Sequence, residues 1–381
     1  MKDYPLFKVH LDTEDVLNRL REVFNSGIIN EGNKVTELTE KLCKNLNTEN
    51  LVLVNSCTSA LAMSLKLSGV GHGDEVISTS MTCVATNSVV NWVGAKIVWA
   101  DIDSQTGNID PAEVENKITE KTKAVICVGW SGIPCKLKSL QDICRKNKMK
   151  LIQDAAHAFG SQYNGQSVCH YADYTCYSFQ AIKHFTTGDG GALVCLDDND
   201  VSRARAMKWY GFDRKTLKDK EGNWKGRRWN VDIKEIGSKF NMNNISAVMG
   251  ISNLDHIERI VSQHKSNAAV YNKLLADNDD LKPLLVEDNM DPAYWIYTVI
   301  LSGGINRESL IEELKSRGVH TDTVHVPNHP YDCFSESYCK LPQTDYFGDR
   351  QLCLPCGWWL NEQDIEDIYN ILIDTVDLIR A

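Results

Sequence analysis

The sequence predicts an α/β fold in which a mostly parallel sheet of seven strands is followed by a smaller α+β lobe. Apolar runs of strand length alternate with stretches of helix length, which is typical of parallel sheets covered by helices. The predicted strands are almost continuously apolar, as expected of strands buried on both faces. The 381 residues also exceed the length at which one hydrophobic core stops growing. We therefore expect two lobes, residues 1–245 and residues 246–381.

The individual elements are predicted from hydrophobic periodicity and from turn residues. The seven strands are predicted at 51–54, 75–79, 96–100, 123–128, 150–153, 174–178 and 192–196. Helices are predicted at 13–25, 33–46, 59–67, 85–93, 137–147 and 201–209, and a helical stretch at 243–276 leads into the smaller lobe. That lobe is expected to hold strands at 294–301 and 321–326 and helices at 307–317 and 361–380. The polar stretch 212–230 is expected to be a long surface loop.

Composition and charge argue against several classes of protein. A net charge of −10 and a pI near 5.5 do not suit a nucleic-acid-binding protein, which carries a basic face. The thirteen cysteines are scattered, and the C-x-x-C motif at Cys353 and Cys356 has no second pair at zinc spacing. We expect buried thiols and no metal site. The N-terminus lacks a signal peptide and no apolar run has the length of a membrane span, so we expect a cytoplasmic protein without membrane contact.

The most informative motif places one lysine between a serine and a glycine cluster. Lys183 follows Ser178, the last residue of a predicted strand, and the glycine-rich stretch 188–191 comes next. Upstream, another predicted strand runs into Asp154. Ligands of open α/β sheets bind at the carboxyl ends of the strands. We therefore expect one shared site at this edge, to which the predicted strand ends bring Asn55, Thr79, Asp154 and Ser178.

This combination of residue types is what a pyridoxal 5′-phosphate (PLP) site needs. The lysine amine bonds to the cofactor's aldehyde, the aspartate keeps the ring nitrogen protonated, and the serine hydroxyl and nearby backbone N–H groups bind the phosphate. Taken singly, Lys183 is better explained as a surface lysine and Asp154 as a buried capping residue. Their order along the chain and the glycine cluster just after Lys183 favour the cofactor site.

The same segments resemble the DegT/DnrJ/StrS family of PLP-dependent sugar aminotransferases, which have the fold-type I architecture. The resemblance covers nearly the whole chain, and the motif around Lys183 is its most specific part. The matching segments are 55–61, 94–110, 154–160, 178–191 and 239–247. Dinucleotide-binding and P-loop motifs are not present in the sequence.

The resemblance implies a set of cofactor-binding residues. Thr58 and Ser59 open a predicted helix whose N-terminal N–H groups suit a phosphate, although both also serve as ordinary helix caps. His157 matches a residue that approaches the cofactor ring, and a histidine held in the core by backbone groups is the alternative. Cys83 stands where the family usually places an aromatic residue, so sulfur of Cys83 or Met81 is expected on the ring. The full expected set is Cys57, Thr58, Ser59, Cys83, Asp154, His157, Ser178, Lys183, Lys239 and Asn241.

Lys239 and Asn241 alternate along an extended segment, and their side chains are therefore expected on one face. In the family this segment reaches the phosphate of the neighbouring subunit, which implies an obligate homodimer with shared active sites. A solvent-exposed pair is the alternative. For the substrate we expect contacts from Ile29, Asn30, Arg214, Trp229 and His329. A solvated charged loop is the alternative for the arginine and tryptophan.

The implied activity is a ping-pong transamination. L-Glutamate would convert PLP to its pyridoxamine form, and a keto sugar attached to a nucleotide would then take the amine. Lys183, Asp154 and His157 are the expected catalytic residues, with Lys183 as nucleophile and proton carrier. A smaller keto substrate, such as an inosose or a keto-triose phosphate, remains open. A related sugar dehydratase is less favoured, because some of those enzymes carry histidine in place of the lysine. A non-catalytic PLP-binding regulator is the third alternative.

Overall fold

The computed structural model describes residues 2–212 and 232–380. The helices in these two stretches are α1 (Thr13–Ser26), α2 (Asn33–Leu46), α3 (Cys57–Leu67), α4 (Val84–Trp92), α5 (Pro111–Asn116), α6 (Leu137–Lys146), α7 (Asp198–Met207), α8 (Asn244–Leu254), α9 (Ile257–Leu274), α10 (Arg307–Ser316), α11 (Pro342–Arg350) and α12 (Glu362–Arg380). Short 3₁₀ helices lie at Trp130–Gly132, Val168–His170 and Asp332–Ser337.

The strands described in the same stretches belong to one large sheet and three small ones. They are β1 (Leu51–Val54), β2 (Glu75–Thr79), β3 (Lys96–Ala100), β4 (Ile102–Asp103), β5 (Asn108–Ile109), β6 (Thr122–Val128), β7 (Lys150–Asp154), β8 (Gln162–Tyr163), β9 (Gln166–Ser167), β10 (Tyr174–Ser178), β11 (Gly191–Cys195), β12 (Leu281–Pro283), β13 (Met290–Asp291), β14 (Tyr297–Leu301) and β15 (Gln351–Leu354).

The large sheet has seven strands in the order β1-β11-β10-β7-β6-β2-β3. Strand β11 runs antiparallel to both of its neighbours, and the remaining pairs are parallel. All seven strands predicted for the sheet therefore form, and the mostly parallel α/β architecture is confirmed. Strands β1, β2, β6, β7 and β10 consequently end on the same edge of the sheet.

Both faces of this sheet are buried, as the apolar strands predict. Leu51 and Leu53 of β1 belong to one hydrophobic cluster, whereas Val52 and Val54 belong to the other. This two-residue alternation arises because successive side chains of a strand point to opposite faces of the sheet. Helix α3 lies in the second of these clusters, and its first turn reaches the carboxyl edge directly after β1.

Two helices begin earlier than periodicity predicts, because polar residues cap them. Helix α3 begins at Cys57, where the hydroxyl of Ser56 accepts a hydrogen bond from the Ser59 N–H at 3.1 Å. Helix α7 begins at Asp198, capped by the carboxylate of Asp197. A side chain that satisfies the first free N–H groups sets the start of a helix independently of its apolar stripe.

The smaller lobe corrects one prediction. Residues 321–326 do not form a strand; the segment makes an isolated bridge between Asp322 and Cys353, and Val324 has a φ of 60°, outside the region a strand allows. Strand β15, which the sequence did not suggest, completes the sheet β12-β14-β15 instead. Cys353 lies in β15 and Cys356 is also buried, so the C-x-x-C motif belongs to the core.

The N-terminal segment packs against this smaller sheet. Tyr4 forms a bridge with Val319 and belongs to the hydrophobic cluster of the smaller lobe. The division of the chain at residue 245 stays a prediction. None of the helices within residues 2–212 and 232–380 combines the length and the apolar character needed to cross a membrane.

Candidate active site

A cavity of about 480 Å³ lies at the carboxyl edge of the large sheet. It is bounded by the ends of β7 and β10, by the first turns of α3 and α4, and by the segment that follows Val319 in the smaller lobe. The side chains that line it include Ser56, Cys57, Thr58, Thr82, Cys83, Thr86, Asp154, His157, Ser178, Lys183, Asp189, Trp295, Asp322 and His325. The structure thus brings together Asp154, Ser178 and Lys183, which the sequence placed at one site.

Asp154 is the last residue of β7, and its carboxylate is buried. One oxygen accepts a hydrogen bond from the Thr86 hydroxyl at 2.7 Å, and the other accepts from the Ala156 N–H at 3.0 Å. Burial raises the pKa of this carboxyl, while the Thr86 hydroxyl, the Ala156 N–H and the Lys183 amine oppose the rise. A carboxylate held this way is ready to pair with a cation that enters the cavity.

Lys183 lies on the turn between β10 and β11, where its N–H donates to the Gln180 carbonyl at 3.0 Å. Burial lowers the pKa of the Lys183 amine to about 8, against the opposing attraction of Asp154. A lysine with such a pKa is neutral in about one molecule in ten at pH 7, and a nucleophile or proton carrier needs this neutral form. Its Nζ atom lies 3.3 Å from the ring centroid of Trp295.

The glycines after Lys183 allow a close approach of backbone to backbone. A Cβ atom on Gly191 would lie 2.6 Å from the Cys57 nitrogen and 2.7 Å from the Tyr177 carbonyl oxygen. On Gly190 it would lie 2.1 Å from the Thr187 hydroxyl oxygen. The first turn of α3 therefore packs against the start of β11 only because residue 191 has no side chain. This contact brings the N-terminus of α3 to the cavity.

The N-terminus of α3 and Ser178 form the polar end of the cavity. Ser56, Cys57 and Thr58 line it, but Ser59 turns away and its hydroxyl lies 2.6 Å from the Asn55 side-chain oxygen. The Ser178 hydroxyl accepts a hydrogen bond from the Gln180 N–H at 3.4 Å. Free helix N–H groups beside hydroxyls suit a phosphate group.

Aromatic rings form the opposite wall. His157 stacks on Trp295 with centroids 4.0 Å apart, and His325 lies parallel to His157 at 5.4 Å. Phe7, from the N-terminal segment, stacks on Trp295 at 5.0 Å. Within the described residues, His157 Nδ1 and His325 Nε2 are buried without a hydrogen-bond partner. Burial and the Lys183 charge lower the pKa of His157 well below its usual value and that of His325 to about 4, so both rings are neutral.

Sequence reasoning did not identify Phe7, Thr86, Trp295 or His325. These residues come from four distant segments, and each lies in an unremarkable local pattern. Thr86 lies in the first turn of α4, three residues after Cys83. Residues three apart are neighbours on a helix surface, and this spacing is the signal that could have linked Thr86 to the cavity.

Several expected residues lie elsewhere in the chain's own fold. His329 does not line the cavity, since its Nδ1 is 2.9 Å from the Ser80 hydroxyl and its Nε2 is 3.4 Å from Asp345. His325 lines the cavity instead of His329. The residue before it, Val324, has a left-handed backbone conformation at which the chain turns. Met81 is buried away from the cavity, whereas Cys83 lines it. Arg214 and Trp229, with most of the loop predicted at 212–230, lie outside the described residues.

Four further expected residues lie outside this cavity. Lys239 and Asn241 share a face, as alternation predicts, and the lysine Nζ is 2.8 Å from the Asn241 side-chain oxygen. Their segment runs beside β1, through a bridge between Val54 and Asn241. Ile29 and Asn30 lie in the exposed loop between α1 and α2, and both carbonyls accept from the Asn244 N–H.

The residues that do line the cavity fit PLP. A buried carboxylate faces the space, an amine of lowered pKa stands beside it, and a helix N-terminus with two hydroxyls closes the polar end. Among the described residues no group of histidine, cysteine and acidic side chains has the arrangement of a metal site. Fold and site together have the organisation of a fold-type I PLP-dependent enzyme.

Comparison with known proteins agrees with this class. Residues 10–373 match the model of the DegT/DnrJ/EryC1/StrS aminotransferase family. The chain is 30% identical over 390 residues to the UDP-4-amino-4-deoxy-L-arabinose–oxoglutarate aminotransferase of Shewanella sediminis, covering 98% of each protein. The chain therefore belongs to the DegT/DnrJ/EryC1/StrS family and is an aminotransferase.

Solved structures show the same fold. The sugar aminotransferase CalS13 of Micromonospora echinospora superposes with a TM-score of 0.90 at 30% identity, covering 97% of this chain and 99% of that one. The putative sugar aminotransferase Spr1654 of Streptococcus pneumoniae was solved in a PLP form. It superposes with a TM-score of 0.89 at 26% identity, covering 99% of both chains.

Proposed function

We propose that this chain binds PLP in the cavity lined by Asp154 and Lys183 and transfers the amino group of L-glutamate to a keto sugar that is linked to a nucleotide. The observation that carries the proposal is the pairing of a buried carboxylate with a lysine amine of lowered pKa at one sheet edge. The names of relatives support the substrates: one is an oxoglutarate aminotransferase for a UDP-linked amino sugar.

When bound, the cofactor supplies an electron sink at the carbon that gains or loses the amino group. Asp154 holds a proton on the ring nitrogen by charge pairing, supported by the Thr86 hydroxyl and the Ala156 N–H. The N-terminus of α3, with Ser56 and Thr58, holds the phosphate together with Ser178. Cys83 lines the cavity wall, where its polarizable sulfur would contact the ring.

Lys183 would anchor the cofactor through its amine and would carry a proton to and from the substrate carbon, because its lowered pKa makes both forms of the amine accessible. The neutral rings of His157 and Trp295 exclude water from this amine and keep its surroundings apolar. His157 holds its unpartnered Nδ1 ready for a polar group of the cofactor or the substrate.

The proposal includes a homodimer. Lys239 and Asn241 lie beside the outer strand β1 and do not line the chain's own cavity. From the resemblance to the family, we assign them to the phosphate site of a second copy. Ile29 and Asn30 lie on an exposed loop, from which they would reach the substrate of that copy. No cysteine among the described residues is in a disulfide, in keeping with a protein of the cytoplasm.

The test is a two-stage reaction with purified protein. Reconstitution with PLP should give a visible absorbance, L-glutamate should convert it to the pyridoxamine spectrum with release of 2-oxoglutarate, and a nucleotide-linked keto sugar should restore the first spectrum. Lys183→Ala should lose the covalent attachment and turnover, and Lys96→Ala, an exposed lysine on β3, is the control. A spectrum unchanged by glutamate and other amino donors would contradict the proposal. Restoration by a small ketone but not by nucleotide sugars would contradict the nucleotide-linked substrate alone.

A further inference from the structure

The two residues beside Lys183 in the chain are both bonded to the segment that carries Trp295. The Trp295 indole N–H donates to the Ile182 carbonyl at 2.8 Å. His184 Nε2 donates to the Ala293 carbonyl at 2.9 Å. The backbone on each side of the lysine is therefore fixed relative to the tryptophan.

The tryptophan is itself held from several sides. Its backbone N–H donates to the Ser131 carbonyl at 2.9 Å. The preceding residue, Tyr294, accepts from His264 Nδ1 at 2.8 Å, and the rings of Phe7 and His157 stack on the indole. An indole fixed by its N–H, its backbone and its neighbours cannot follow a moving side chain. It therefore offers a fixed position to the amine.

The Lys183 Nζ atom lies 3.3 Å from the centroid of this indole. The face of tryptophan carries negative electrostatic potential and attracts a cation, most strongly where water is excluded. The stacked His157 ring is neutral and does not compete for this face. The geometry therefore gives the protonated amine a defined resting place inside an apolar cavity.

We propose that Trp295 is a positioning residue for Lys183. The indole face of Trp295 holds the protonated lysine amine whenever that amine is not bonded to a cofactor. The catalytic use of that amine rests on the function proposed above. The placement itself does not, because it is a property of the chain without cofactor. The sequence did not suggest this role, since Trp295 lies more than a hundred residues from Lys183.

The contact between the indole and the amine changes the pKa of Lys183 in a predictable direction. The indole stabilises the ammonium form, so weakening the ring's negative face favours the neutral amine and lowers the pKa of Lys183. Asp154 acts in the same direction as the indole, whereas burial acts against both. The other titratable groups that face the amine are Cys57 from α3, Cys83 before α4, and the histidines 157, 184 and 325. A fluorinated indole at position 295 keeps the shape of the ring and leaves all of these groups in place.

The experiment measures the titration of Lys183 in the full-length chain freed of cofactor. Limiting acetic anhydride labels neutral amines, and mass spectrometry of the peptide that contains Lys183 gives the labelled fraction at each pH. The wild-type midpoint is expected near pH 8. Trp295→Leu should move it down by about one pH unit, and Trp295→Phe by less, because phenylalanine has the weaker ring potential.

Fluorinated tryptophans provide the decisive series, since they weaken the ring potential while keeping its shape and its N–H. Site-specific incorporation of monofluoro- and then tetrafluorotryptophan at position 295 should lower the midpoint in steps. Trp99→Phe, at a buried tryptophan of β3, should leave it unchanged. A midpoint that is constant across the fluorinated series would overturn the proposal, even if Trp295→Leu failed to fold. Failure of PLP binding would count against the proposed function and leave this titration intact.

Discussion

The hydroxyl of Thr86 is predicted to control how tightly the protein binds PLP. It donates to the buried Asp154 carboxylate at 2.7 Å, and it is in turn 3.0 Å from the Thr82 hydroxyl. Thr86→Val removes this donor while nearly preserving the volume of the side chain. The Asp154 carboxylate then retains the Ala156 N–H and the more distant Cys57 thiol as hydrogen-bond donors.

The size of the effect follows from the charge on the acceptor. A hydrogen bond to a charged group contributes about 1.5–3 kcal/mol, and about 1.4 kcal/mol corresponds to one pKa unit. The pKa of Asp154, already raised by burial, should therefore rise by a further one to two units or so. A carboxylate that ionises less readily pairs less well with a protonated ring nitrogen. The dissociation constant for PLP should increase roughly 10- to 100-fold.

The assay is a titration of cofactor-free protein with PLP, followed by visible absorbance at several pH values. Thr86→Ser is the matched control, because it keeps the hydroxyl and removes only a methyl group. The loss of affinity in Thr86→Val should diminish as the pH is raised, since the carboxyl then ionises despite its higher pKa. Equal dissociation constants for the valine variant, the serine variant and the wild type would refute the reasoning.

Three other predictions concern stability. The pKa of buried His264 is lowered to about 4. The contribution of this residue to the free energy of unfolding is therefore fully present above about pH 6.5 and lost as the pH falls toward 4, a loss of about 3 kcal/mol. Urea unfolding at several pH values should show this decrease in stability, and His264→Gln should make the decrease smaller. Gly191→Ala should prevent folding or lower the melting temperature by several degrees, because its Cβ would meet backbone atoms at 2.6 Å, whereas Gly303→Ala, with open space around it, should melt like the wild type. Lys208→Met should cost about 3 kcal/mol in denaturant unfolding, because it strands the partly buried Glu31 carboxylate 2.6 Å away. Lys146→Met breaks a pair exposed on both sides and should leave the unfolding midpoint nearly unchanged. Equal losses in the two variants would contradict the burial argument.

The large sheet was predictable from the sequence because each of its strands carries a local signal. Strand β10 and strand β1 form over the predicted residues, bounded by polar or glycine-rich turns. Strand β15 was missed because four buried residues after a helix have no periodicity that separates a strand from the end of the helix. The segment 321–326 was mistaken for a strand because its β-branched residues favour one, but its packing imposes a left-handed residue at Val324.

The sequence alone determined that Asp154 and Lys183 come together, and the edge of the sheet on which they lie. Asp154 ends a buried strand, and Lys183 stands on a turn that only glycines allow, and both facts follow from chemistry within a few residues. Only the tertiary structure decided what surrounds that pair. It selected His325 rather than His329 for the cavity and set the Trp295 indole against the lysine amine. Those contacts depend on how the smaller lobe packs against the sheet edge, and packing between distant segments leaves no periodic pattern in the chain.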